Sequence, residues 1–260
     1  MKKIKGSWAL ITGASSGLGA EFAKLLSKNG VNLVLTARRT EKLKELKDSL
    51  EQKNHVSVHT ISNDLSSNNG ASLLYKDVCS LNVPISILIN NAGVGLNGRF
   101  KDMSLEDHMS MVKLNVLSLT ELTHLFVTDM LKKKIRGYIL LLSSVVGFGP
   151  CPNFSAYAAT KAYVLSLAES LNHELKSEGI SVTALCPGPT RTEFFSTAKG
   201  SPGKVLQTFM MEPEEVASEG LKGMFARNRV VVPGLITKIS ASSNRWLPKS
   251  ILLKIADKLG

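Results

Sequence analysis

A chain of 260 residues with 43% hydrophobic content can bury one sizeable core, which excludes a disordered or low-complexity protein. Its three cysteines, Cys79, Cys151 and Cys186, are too few and too widely spaced for a disulfide framework or a CxxC metal site, so a reducing cytosol suits it. The formal net charge is +11, but the basic residues are scattered and not interleaved with stacking aromatics, which argues against a nucleic-acid partner.

The first apolar run, "WALI" within 7–12, is too short for the core of a secretion signal, and no stretch approaches the ~18 apolar residues of a membrane span. Cytoplasmic residence is expected. In chain order, apolar β-branched runs at 7–12, 31–36, 56–61, 85–90, 138–143, 180–186 and 229–233 read as strands. The intervals 17–30, 40–53 and 66–81 have the length and helical period of crossover helices. Continuous apolar strands separated by helices predict an α/β fold, a doubly wound Rossmann-type parallel sheet of about seven strands with helices on both faces. Residues 1–260 show no linker or repeat, so a single domain is expected.

Ligands of such sheets bind beyond the carboxyl ends of the strands. After strand one, "TGASSGLG" (12–19) places Gly13, Gly17 and Gly19 at a strand-to-helix turn, where bare backbone and helix-start amides suit a pyrophosphate. Ser15, Ser16 and Leu18 complete that turn. Strand two ends in Ala37, Arg38 and Arg39 rather than in an acid. An acid there suits a ribose 2′-hydroxyl and an arginine suits a 2′-phosphate, so NADP(H) is expected, with Arg38 on the phosphate and Arg39 stacking on adenine. After strand three, "NDL" (63–65) puts Asp64 and Leu65 within reach of the adenine, although Asp64 serves equally well as a turn residue.

"SAYAATK" (155–161) places Tyr157 and Lys161 one helical turn apart on one face, while Tyr163 points elsewhere. With "TGASSGLG", "NNAG" (90–93), Asn115 in "KLNVLS", Ser143 and Ser144, and "PGPTRT" (187–192), all in order, the sequence resembles the short-chain dehydrogenases/reductases over nearly its whole length. Within that family it is most similar to a bacterial branch akin to hydroxysteroid and 3-ketoacyl reductases. The resemblance implies an active site of Asn115, Ser144, Tyr157 and Lys161, the serine being selected by its thirteen-residue distance from the tyrosine. It implies hydride exchange between a nicotinamide and a carbonyl or secondary alcohol. Tyr157 is then the acid/base, helped by the Lys161 cation, because a free phenol near pKa ~10 exchanges poorly at neutrality. It further implies that Lys161 bonds the nicotinamide ribose, that Ser144 donates to the substrate oxygen and that Asn115 holds a water. Asn91 and Gly93 would wall the cofactor, and Pro187, Gly188, Thr190 and Thr192 would meet the nicotinamide carboxamide, with Pro189 varying the usual pattern.

The five histidines, His55, His59, His108, His124 and His173, have no metal spacing, and no metal is expected. The loop 189–215, with Phe and Met residues from 194 to 211 around "KGSPGK", suits a lid over a hydrophobic small-molecule substrate. The basic extension 234–260 has helical period over 250–259, which suits peripheral contact with a membrane, packing on a second subunit, or packing on its own domain. A homodimer or homotetramer is expected. The competing reading is a catalytically silent NADP(H)-binding sensor or scaffold.

Overall fold

The computed structural model describes residues 4–194, 198 and 207–253, with position 245 described by its backbone only. Seven strands form one sheet: β1 (Trp8–Thr12), β2 (Asn32–Ala37), β3 (Val58–Ser62), β4 (Ile85–Asn90), β5 (Tyr138–Leu142), β6 (Ser181–Leu185) and β7 (Val230–Val231). Every pairing is parallel, in the order β3-β2-β1-β4-β5-β6-β7. Each strand begins and ends within two residues of its sequence-based bounds. The helices are α1 (Gly17–Lys28), α2 (Thr40–Asn54), α3 (Gly70–Ser80), α4 (Leu105–Val112), α5 (Leu119–Lys132), α6 (Ser155–Glu174), α7 (Pro213–Phe225) and α8 (Leu235–Trp246). A six-residue π-helical stretch, Lys113–Ser118, joins α4 to α5.

Alternation along the strands sorts the core onto two faces. Ala9, Ile11, Leu33, Leu35, Ile87 and Ile89 pack against Phe22 and Leu26 of α1, Leu43 and Leu50 of α2, and Val216 and Leu221 of α7. Their neighbours Leu10, Val34, Leu88, Ile139 and Leu141 pack against Leu74 and Val78 of α3, Leu122 and Phe126 of α5, and Val164 and Ala168 of α6. Each fully buried Leu or Phe contributes roughly 1.5–3 kcal/mol, so both faces are strongly held.

The chain runs outward from β1 to β3 and returns to place β4 on the other side of β1. This reversal opens a crevice at the carboxyl ends of β1 and β4, where dinucleotide folds bind their ligand. The tail adds one element to its sequence reading: a helix covers 235–246, where none was expected, while the helix expected over 250–259 is helical as far as 253, the last described residue. The pattern hides α8 because its large apolar residues stop at Ile239 and resume only at Trp246, with "SASSNR" between them.

Candidate active site

The site is built from the ends of strands. At the end of β1 the Thr12 hydroxyl accepts from the amides of Asn91 (3.0 Å) and Ala92 (2.9 Å), tying the first turn to the segment after β4. Asn91 completes the tie, its Nδ2 donating to the carbonyls of Thr12 (2.9 Å) and Gly13 (3.2 Å). Its Nδ2 therefore shapes the turn, and the residue also lines the crevice. Gly13 has φ +65, and a Cβ there would lie 2.9 Å from Asn91 Nδ2. A Cβ at Gly19 would lie 2.2 Å from the Gly13 carbonyl oxygen. Only bare backbone can fold this turn so tightly. The first turn of α1 contains no acidic residue, and Ser16 makes no side-chain cap, so its amides stand ready for an anion.

At the far end, β5 delivers Ser143 and Ser144, held to the end of β6 by amide bonds from Ser143 to the Leu185 carbonyl (2.8 Å) and from Val145 to the Pro187 carbonyl (2.9 Å). The buried stripe of α6 runs Tyr157, Lys161, Val164, Ala168. The last two seat the helix on the sheet, and the same spacing one turn earlier presents Tyr157 and Lys161 to the crevice. The Lys161 carbonyl accepts from the Ser143 hydroxyl (2.7 Å), and its Nζ donates to the Leu142 carbonyl (2.7 Å). Tyr163 lies off this stripe, partly exposed, with its hydroxyl 2.9 Å from that of Thr120.

Asn115 comes from the π-helical stretch, a wider turn that often marks functional sites. Its Nδ2 donates to the Val94 carbonyl (2.8 Å) and the Thr160 hydroxyl (3.1 Å), and its Oδ1 accepts from the Val94 amide (3.0 Å). These bonds pin the segment after Gly93 against α6. A Cβ at Gly93 would lie 3.1 Å from Asn115 Oδ1 and 3.4 Å from Lys161 Nζ, so glycine lets the β4 segment approach both groups. Asn115, Ser144, Tyr157 and Lys161 thus converge, all buried.

Burial governs their protonation. It raises the Tyr157 phenol above its ordinary pKa, opposed by the hydrogen bond with Ser144. It lowers Lys161 to about 8, opposed by the nearby Cys186. The Lys161 ammonium stands 5.6 Å from the centre of the Tyr157 ring. Desolvation therefore governs the phenol in the chain, where a lowering by that cation was expected, and each buried group leans toward its neutral form.

The adenosine end is open. Arg38 is exposed on the crevice wall. Burial tends to raise the Asp64 carboxyl, but bonds from the Ser66 hydroxyl (2.6 Å) and amide (2.9 Å), with Arg38 and Lys113 nearby, outweigh it, and its pKa falls below the ordinary value. Asp64 is thus a turn residue that also lines the crevice. Arg39, expected to stack on adenine, lines the crevice with its N–H groups engaged in the plane of the guanidinium. Its guanidinium donates to Ser15 Oγ (3.1 Å), Ser16 Oγ (2.6 Å) and Glu193 Oε2 (2.8 Å). Glu193, joined also by Lys42 Nζ at 3.0 Å, has its pKa pulled to about 2 by these two cations. The bridge links the end of β2 to the loop after β6. Sequence reading did not foresee it, because no local spacing connects positions 39 and 193.

One cavity of about 950 Å³ joins the two ends, lined from Gly13, Ser15, Ser16, Gly17 and Leu18 through Leu65 and Gly93 to Tyr157. Pro187, Gly188, Thr190 and Thr192 form its rim below the reacting end. Pro189 and Arg191 pair with Met211 through backbone bonds of 3.0 Å, which fixes this rim. Val146, Phe154 and Phe194 make an apolar wall beside Tyr157. Positions 195–197 and 199–206 of the expected lid lie outside the described residues. Among the described residues no cluster of His, Cys, Asp or Glu could hold a metal.

The sequence model of the short chain dehydrogenase family matches residues 7–201. The very-long-chain 3-oxoacyl-CoA reductase of Rattus norvegicus is 30% identical over 253 residues, covering 93% of this chain and 77% of that protein. Among solved structures, a short-chain dehydrogenase from Sphingobium yanoikuyae in complex with NADPH is 34% identical with a TM-score of 0.83, over 92% of this chain and 93% of that one. The bulky-bulky ketone specific alcohol dehydrogenase from Comamonas testosteroni is 30% identical with a TM-score of 0.77, over 94% and 96%. With the match spanning most of its length and the crevice built as described, the chain belongs to the short-chain dehydrogenase family and is an oxidoreductase.

Proposed function

We propose that the chain interconverts a carbonyl and a secondary alcohol on a hydrophobic small molecule, with NADP(H) as the partner nucleotide. The observation that carries this reading is the buried Tyr157 phenol, hydrogen-bonded by Ser144, at the apolar end of a crevice whose other end presents helix amides and Arg38. The residues fit a dinucleotide: bare backbone at Gly13 and Gly19 lets the turn fold tightly beside the crevice, and the first amides of α1 stand at the crevice without an acid to occupy them. Arg38, following Ala37 where an acid would select a bare ribose, would hold a 2′-phosphate. The Sphingobium relative is described in complex with NADPH.

A nicotinamide bound in this crevice supplies or accepts the hydride. The remaining work falls on the chain's own groups. In reduction, the Ser144 and Tyr157 hydroxyls donate to the carbonyl oxygen, and Tyr157 releases its proton as negative charge builds there. Burial keeps that phenol protonated and ready. Lys161, anchored by the Leu142 carbonyl, keeps further N–H donors for ribose hydroxyls. A water at Asn115 relaying protons onward belongs to the same reading, since Oδ1 accepts from the Val94 amide and has a second lone pair to offer. The apolar wall of Val146, Phe154 and Phe194 excludes water and favours apolar substituents on the substrate.

The test compares kcat/KM with NADPH and NADH across ketones, acyl thioesters, steroids and sugars. At least a ~10-fold preference for NADPH is expected from one charge-assisted phosphate contact, together with apolar carbonyls ahead of sugars. Equal use of NADH would overturn the nucleotide assignment, and a preference for sugars would overturn the substrate class.

A further inference from the structure

Helix α8 is inverted relative to a helix that completes a core. Its polar side faces the protein: a Cβ at Gly188 would lie 2.6 Å from Thr237 Oγ1, and one at Gly149 would lie 2.1 Å from Asn244 Oδ1. At 3.6 residues per turn, Leu235, Ile239 and Trp246 fall on the opposite side within a sector of about 40°. They are 74%, 62% and 83% exposed. Ile251 and Leu253, just beyond the helix, add further exposed apolar surface. Ile236 and Leu247 belong both to this surface and to the cavity lining.

Charge identifies what covers this face. Residues 234–253 carry Lys238, Arg245 and Lys249 and no acidic residue, and both lysines are exposed. A symmetric pair of copies would bring like charges toward each other across an isologous contact. An anionic lipid surface complements both features at once, taking the apolar stripe and the tryptophan into its interface while its headgroups meet the lysines. No helix among the described residues is long and apolar enough to cross a membrane, so such contact is peripheral.

We propose that α8 and the short helical segment at 249–253 dock on an anionic phospholipid bilayer, apolar side down, with Ile236 and Leu247 setting the cavity mouth against the lipid. The proposal does not depend on which nucleotide or carbonyl the site takes. It is tested by flotation with phosphatidylcholine vesicles containing about 30 mol % phosphatidylserine, against pure phosphatidylcholine, at low and high salt. Wild type floats with the anionic vesicles and is released by salt. The double variant Ile239→Glu/Trp246→Glu, altered outside the cavity lining, loses at least ~10-fold in partitioning while its thermal transition is kept. In Trp8→Phe, Trp246 is the remaining one of the chain's two tryptophans, and its emission shifts to the blue on vesicle addition. Failure of wild type to float, flotation unchanged in the double variant, or a solution dimer that the double variant splits without any vesicle binding would each overturn it.

Discussion

Lys161 and Arg39 are cations lining one cavity, yet the first is 3% exposed and the second has a side chain that is 43% exposed. Around Lys161, desolvation is strong enough to pull its pKa to about 8, and the neighbouring phenol rises. Around Arg39, solvent screens the charges, and its ion pair with Glu193 carries little stability in spite of a short contact. The buried end has groups whose protonation responds to small changes, which suits proton transfer. The open end has permanently charged groups that exchange partners readily, which suits selection and release of a charged ligand.

If that division holds, the largest effect comes from removing the buried acid. Tyr157→Phe keeps the ring packed beside Phe154 and Phe194, at 6.0 and 5.4 Å between centroids. It is expected to lower kcat by roughly 10²–10⁴-fold, since it removes the proposed general acid. Binding of NADPH, followed by fluorescence titration, should hardly change. Loss of nucleotide binding in this variant would show that the two ends are not separable.

Lys161 tests the cost of burial. Its pKa is 10.5 in the unfolded chain and about 8 in the folded one. Between those values the unfolded chain holds the extra proton, so stability rises with pH across that window, and below about 8 the full penalty is present. Lys161→Met removes the penalty but also the bond to the Leu142 carbonyl, leaving a net gain of roughly 1–2 kcal/mol at pH 7. Without nucleotide the variant should therefore melt a few degrees above wild type at pH 7, with the gap closing toward pH 10, while activity collapses. A variant that melts lower at pH 7 would mean that the ammonium stabilises the fold. At the open end, Arg38→Ala should lower kcat/KM with NADPH by about 10- to 100-fold and leave NADH unaffected.

The two ends also differ in how far the sequence announces them. The sheet was readable because each strand is a continuous apolar run, and the pairing of Tyr157 with Lys161 because helical spacing alone decides it. Gly13 and Gly19 were readable as turn residues, although the reason for Gly19, its closeness to the Gly13 carbonyl, needs the folded turn. The part played by Asn115 depends on a π-helical stretch that no local propensity marks, and on bonds to Val94 across the crevice. The bridge from Arg39 to Glu193 could not be read beside the expected adenine contact of Arg39, since contacts between positions so far apart come from topology. Helix α8 escaped a period-based reading because the small polar run 240–245 interrupts its apolar stripe between Ile239 and Trp246.

The smallest and most diagnostic effect lies in that same contact. Glu193 places a carboxylate, ionised down to about pH 2, on the arginine next to Arg38. If it merely shares Arg39 with an incoming 2′-phosphate, Glu193→Gln removes a competitor. The dissociation constant for NADPH then falls by up to about fivefold at low salt, the effect fades as salt screens the pair, and that for NADH does not move. If instead the Arg39–Glu193 bridge clasps the crevice over the bound nucleotide, the substitution weakens NADPH and NADH alike and quickens release of both. Stopped-flow measurement of nucleotide dissociation in wild type and variant separates the two. A change confined to NADPH assigns the open end to selection, and a change shared by both nucleotides gives it a part in retention as well.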